Sequence, residues 1–193
     1  MAKLIIIRHC ETDSNKQKRY LGETDEPLNS VGRKQAKELA DKVNELHFDI
    51  LVSSPLKRAL ETAEIINQGR KEIIIEPRFK ERNMGVYEGL TETEAKEKFP
   101  DIYSQNIARV FDKAAPGGET VEQVQKRVLE ALKEVREKYN EKDILIVTHG
   151  FVAKAINKYF NPQISDQEFF DFALKNGELV EYVIWHFVFA EYN

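Results

Sequence analysis

Four short apolar runs without alternation punctuate the chain, at residues 4–7, 50–52, 73–75 and 144–147. Runs this short and this uniformly apolar read as strands buried on both faces. Between them the apolar spacing changes to that of helices. Asn29 and Ser30 are N-cap residues for a helix reaching about Leu46, with Val31, Ala36, Leu39, Ala40 and Val43 inward. Ser54 is the N-cap and Pro55 the first helical residue of a second helix, which carries Leu56, Ala59, Leu60, Ala63 and Ile66. A long helix over 119–139 turns Val121, Val124, Val128, Leu132 and Val135 inward, and another covers 151–160. Residues 91–99 read as an acidic helix stopped by Pro100, residues 101–115 are less regular, and Pro116-Gly117-Gly118 is a break. Asn176-Gly177 lies between two apolar runs, which predicts a closing hairpin. Strands alternating with helices imply one α/β domain over 1–193, its sheet mostly parallel and covered on both faces, with an antiparallel edge. Residues 88–118 are expected to form a small helical insertion lying over the site as a lid.

Charged and titratable residues gather at the ends of the strands. The first strand runs into Arg8 and His9, the fourth into Thr148, His149 and Gly150, and Arg58 follows the second. In an open α/β sheet the carboxyl ends of the strands share one edge, where ligands bind. Two histidines and two arginines are therefore expected around one point. Helix amino termini near Arg58 and Gly150 would add backbone N–H donors. Such a pocket suits an anion, and guanidinium groups fit the oxygens of phosphate as a fork. The same cationic surroundings oppose a metal ion, and no zinc-type spacing is present, so no metal and no cofactor are expected. His47 and His186 lack this context and read as structural.

Composition narrows the partners. Hydrophobic residues make up 41% and charged residues 32% of 193, as in a folded globular chain. A net charge of -4, from 29 basic and 33 acidic residues, argues against nucleic acid as the main partner. The first apolar run is too short for a signal-peptide core, and no run approaches the length of a membrane span. The single cysteine, Cys10, forms no intrachain disulfide and suits a reducing cytosol, so the expected location is cytoplasmic. The apolar stretch from Tyr182 to Phe189 reads as an edge open to a second subunit, and hence to a homodimer.

The sequence Arg8-His9-Cys10-Glu11-Thr12 resembles the Arg-His-Gly-Glu-Ser/Thr signature of the histidine phosphatase superfamily, in its phosphoglycerate mutase-like branch. The resemblance continues through Asn15, residues 22–28 and 32–36, Ser53 to Ala59, Glu81 to Gly89, Pro116 to Thr120 and Val147 to Gly150. It implies a three-layer α/β/α sandwich and a metal-independent phosphatase that hydrolyses a small phosphomonoester through a phosphohistidine. By motif position His9 would be the nucleophile and Glu81 the proton donor. Arg8, Asn15, Arg58 and His149, protonated, would hold the phosphoryl group, and Leu21, Gly22 and Gly150 would line the pocket through backbone groups. A cofactor-dependent phosphoglycerate mutase is the alternative. That branch has a lysine where this chain has Glu92, and paired arginines where it has Ala108-Arg109, so the resemblance favours the phosphatase. A non-catalytic phosphate-ligand module is a third reading. Cys10 stands where the family usually has glycine. If accessible, its thiol would be acidified by the cationic pocket and oxidisable.

Overall fold

The structure, a computed structural model, describes residues 2–184. Its strands are β1 (Ala2–Arg8), β2 (Ile50–Ser53), β3 (Ile73–Ile75), β4 (Ile144–Thr148) and β5 (Leu179–Ile184). Its α-helices are α1 (Asp13–Lys16), α2 (Ser30–Asn44), α3 (Lys57–Asn67), α4 (Glu92–Lys98), α5 (Pro100–Tyr103), α6 (Val121–Lys138), α7 (Gly150–Phe160) and α8 (Asp166–Asp171). The sheet order is β3-β2-β4-β1-β5, parallel except for β5, which pairs antiparallel with β1.

The period of two along each strand divides the core. Leu4, Ile6, Val52, Ile144 and Ile146 face one side and pack against Val124, Val128 and Leu132 of α6 and Val152 and Ile156 of α7. Ile5, Ile7, Leu51, Leu145 and Val147 face the other, against Ala36, Leu39 and Val43 of α2 and Ala59, Ala63 and Ile66 of α3. The result is a mixed α/β sandwich whose central strands β1, β2 and β4 are largely apolar because both faces are covered, while the edge strand β5 alternates. A third cluster, with Met84, Tyr87, Ala95 and Ile107 at its centre, joins α4 and the turn at 107–109 to the loop after β3.

Some local expectations are corrected. Val31 is 46% exposed, and Gly32 takes the inward position. A Cβ on Gly32 would stand 2.0 Å from the Glu11 carbonyl oxygen, so α2 approaches that loop closer than any side chain allows. Pro100 does not simply end a helix; it opens α5 after the kink at Phe99. Asn176-Gly177 does not join two paired strands. The apolar run before it belongs to α8 and the loop that follows, and the turn delivers β5 to β1 instead. Ser54 does not cap α3: the N-cap is Leu56, with no side-chain bond, and Lys57 is the first helical residue. His186 and residues 185–189 of the expected subunit edge lie outside the described residues.

Candidate active site

At the carboxyl ends of β1 and β2 lies a cavity of about 180 Å³, lined among others by Arg8, His9, Asn15, Leu21, Gly22, Arg58 and Glu81. The main chain of His9 continues the β1–β4 ladder, its N–H donating to the Thr148 carbonyl at 2.9 Å. The His9 Nδ1 lies 2.7 Å from the Cys10 carbonyl oxygen. A carbonyl only accepts, so the proton sits on Nδ1 and the in-plane lone pair on Nε2. Burial, then the charges of Arg58 and Arg8, hold this imidazole well below the usual histidine range, hence neutral.

Both guanidiniums are anchored by backbone carbonyls. Arg8 Nη1 donates to Leu174 at 2.7 Å. Arg58 donates through Nη1 to Thr24 at 2.8 Å and through Nη2 to Gly22 at 2.7 Å. Burial lowers the pKa of each from 12.5, with the Glu81 charge opposing. The Nε of each is buried with no partner. Asn15 is oriented by the Thr12 N–H and the Asn176 amide, both of which donate to its Oδ1. Its own NH₂ is therefore left for a ligand.

His149 is fully buried and stands behind His9, ring centroids 5.1 Å apart, rather than in the cavity wall. Its Nε2 is 2.7 Å from Ser54 Oγ, and its Nδ1 is buried without a partner. The Ser54 oxygen already accepts from Leu56 N–H at 3.3 Å. The Ser54 hydroxyl can donate to Nε2, which puts the ring proton on Nδ1, or accept from an Nε2–H, because its oxygen has two acceptor sites. Burial first, then Arg58, His9 and Arg8, depress the His149 pKa well below 6.5. This favours the neutral imidazole at His149 in the folded protein, against the imidazolium that the resemblance implies once a phosphoryl group is bound.

Glu81 is held from behind. Its carboxylate accepts from the N–H groups of Arg82 at 2.9 Å, Gly150 at 3.0 Å and Phe151 at 3.1 Å. Gly150 accordingly spends its N–H on Glu81 and does not line the cavity. The start of α3 is likewise taken, Lys57 N–H donating to Asp25 at 2.7 Å. The two helix amino termini expected to face an anion are already bonded to carboxylates. Cys10 is 0% exposed, and burial pushes its thiol up to about 11. The acidified, oxidisable thiol is therefore overturned; the side chain packs with α2 and α3 in the core. Among the described residues no three His, Cys, Asp or Glu stand together as a metal-binding group.

Four supporting residues escaped the sequence reading. Asn176, seen only as a turn residue, donates to both the His9 carbonyl and Asn15 Oδ1 at 3.0 Å. Ser54 orients His149. Glu88 accepts from the N–H groups of Glu23 and Thr24 and so fixes the loop whose carbonyls hold Arg58. Arg127 donates to the carbonyls of Arg78, Lys80 and Glu81 and pairs with Glu119 at 2.9 Å, pinning the loop that carries the acid. Ser54 and Glu88 lie inside the motifs and Asn176 and Arg127 outside them, and no local pattern separates any of the four from surface polar residues. Arg82 is tied to the carbonyls of Ile107, Lys113 and Glu119, so it fastens the 107–119 segment rather than facing the cavity.

The chain is 37% identical over 186 residues to the uncharacterized phosphatase PhoE of Bacillus subtilis (strain 168), covering 94% of this chain and 90% of that protein. It is 36% identical over 157 residues to phosphoserine phosphatase 1 of Hydrogenobacter thermophilus, covering 81% and 74%. Among solved structures, Bacillus stearothermophilus YhfR superposes with a TM-score of 0.86 at 29% identity, covering 96% of this chain and 93% of that one. The family profile of the histidine phosphatase superfamily (branch 1) matches residues 4–190. With a match spanning nearly the whole chain and the signature histidine held as a neutral imidazole between two arginines, this protein belongs to the histidine phosphatase superfamily.

Proposed function

We propose that the protein is a metal-independent phosphatase that hydrolyses a small phosphomonoester through a phosphohistidine. One observation carries this reading. Two buried guanidinium donors without partners, Arg8 Nε and Arg58 Nε, belong to side chains that line one cavity with a neutral histidine. Buried polar groups are almost always bonded, so an unpaired set of this kind calls for a ligand with several acceptor oxygens. A phosphoryl group supplies them.

The lone pair on His9 Nε2 attacks phosphorus, and the ester P–O bond breaks with its electron pair passing to the leaving oxygen. Glu81, the one carboxyl among the described residues lining the cavity, protonates that oxygen. Arg8, Arg58 and the Asn15 NH₂ stabilise the charge on the equatorial oxygens, and His149, packed behind His9, adds to them by taking up a proton as the phosphoryl group binds. Glu81 then takes a proton from water, whose oxygen attacks phosphorus; the P–N bond breaks and returns its pair to Nε2. The segment 88–118 acts as an insertion over the site, lending Ala108 to the phosphate cavity. A mutase fits less well. Arg109 pairs with Asp171 at 2.5 Å and lies over the Phe170 ring, so it does not reach the phosphate cavity.

The test is release of inorganic phosphate from an aryl phosphate in the presence of a chelator. Wild type is expected to turn over, while His9→Ala is expected to be inactive and still to bind inorganic phosphate. Residual turnover by His9→Ala near the wild-type rate, or turnover that requires a bisphosphate primer, defeats the reading.

A further inference from the structure

Beside the phosphate cavity lies a second one of about 260 Å³, and the two share Tyr20 and Ala108 as walls. Its chemistry differs sharply from that of its neighbour. Tyr20, Tyr87 and Tyr103 line it, together with the carboxylate of Glu92. Tyr103 Oη donates to Glu92 Oε1 at 2.5 Å. Tyr87 is 1% exposed, stacks on Tyr20 at 5.5 Å and has a buried Oη with no partner. Burial raises the pKa of both Tyr20 and Tyr87, and the Glu92 charge adds to it at Tyr20. Both phenols are therefore neutral hydroxyls. The cation in this wall is Arg109, and its guanidinium is committed to Asp171 and the Phe170 ring.

We propose that this second cavity receives the alcohol part of the phosphomonoester and selects alcohols that are rich in hydrogen-bond donors and free of negative charge. A glycerol- or sugar-type polyol is the simplest member of the class. The inference rests on the phosphatase reading and adds a substrate class to it. A polyol hydroxyl can donate to Glu92 and accept from the orphaned Tyr87 Oη at once, which satisfies a buried group that otherwise has no partner. A carboxylate or second phosphate placed there would face Glu92 without a free cation, and like charges brought together out of water repel strongly. Specificity would then come from a repulsive element as much as from an attractive one.

Glycerol 3-phosphate and 3-phosphoglycerate form a matched pair, differing by CH₂OH against a carboxylate. With an aryl phosphate as reference for the phosphoryl site, wild type is expected to favour glycerol 3-phosphate by at least tenfold in kcat/KM. Glu92→Lys is expected to collapse or invert that ratio, and Glu92→Gln to reduce it several-fold, chiefly through better use of 3-phosphoglycerate. A wild-type ratio near one overturns the inference, as does a ratio unmoved in both variants. Absence of turnover on the aryl phosphate itself would instead bring down the phosphatase reading and the inference with it.

Discussion

Glu81 illustrates how much of this site is decided by single atoms. Three backbone N–H groups aim its carboxylate into the cavity, and Arg127 holds its own carbonyl at 3.0 Å. Such a carboxyl is placed to give a proton to a leaving oxygen, which matters most when that oxygen is strongly basic. Glu81→Gln is expected to lower kcat on an alkyl phosphate by ~10²–10⁴-fold. An aryl phosphate, whose phenolate leaves without a proton, should lose far less. Equal losses on both substrates would mean that another group is the acid. The residue scale is also where the sequence was hardest to read. Arg8, His9 and Arg58 announced themselves because they follow apolar strands. Ser54 and Asn176 did not, because their partners, His149 and Asn15, lie 95 and 161 positions away.

Elements were legible wherever the pattern was local. The four apolar runs are strands, although β3 at the sheet edge is only partly buried with Ile75 43% exposed, and the four inward valines and the leucine of α6 are all buried. The errors fall where a contact across the fold outweighed the pattern. Helix α8 occupies the apolar run before Asn176-Gly177, where the hairpin pattern predicts a strand. Yet Ser165 and Glu168 form a reciprocal capping box at its start, a signal written in the sequence. Val31 was turned inward by the helical period, whereas α2 presents Gly32 to the loop after β1 because only a glycine fits against the Glu11 carbonyl. Gly32→Ala is therefore expected to force α2 away from the nucleophile loop and to destabilise the protein by about 1–3 kcal/mol. Chemical denaturation would report this, and stability equal to wild type would show that the loop yields freely.

At the scale of the whole molecule, the price of this site is two imidazoles sealed inside a cationic pocket. His9 is 2% and His149 0% exposed, and burial with Arg58 and Arg8 holds both well below 6.5. In the unfolded chain each histidine titrates near 6.5. Between that value and the lower folded one, the unfolded state binds more protons, so stability falls as the pH falls. The loss begins below about pH 6.5 and grows by at most ~1.4 kcal/mol per pH unit for each histidine. It precedes the window of the carboxylates Glu76 and Glu119, whose folded pKa values lie below 4.5 and whose contribution is lost only at more acidic pH. Melting temperature is therefore expected to change little between pH 7.5 and 7 and to drop markedly between pH 6.5 and 5. Inorganic phosphate should reduce that drop, because an anion in the site favours charged imidazoles. A variant with both His9→Gln and His149→Gln should flatten the curve in the same window. A wild-type melting temperature constant from pH 7.5 to 5, or the same acid drop in the double variant, would show that the two histidines are not what acid acts on.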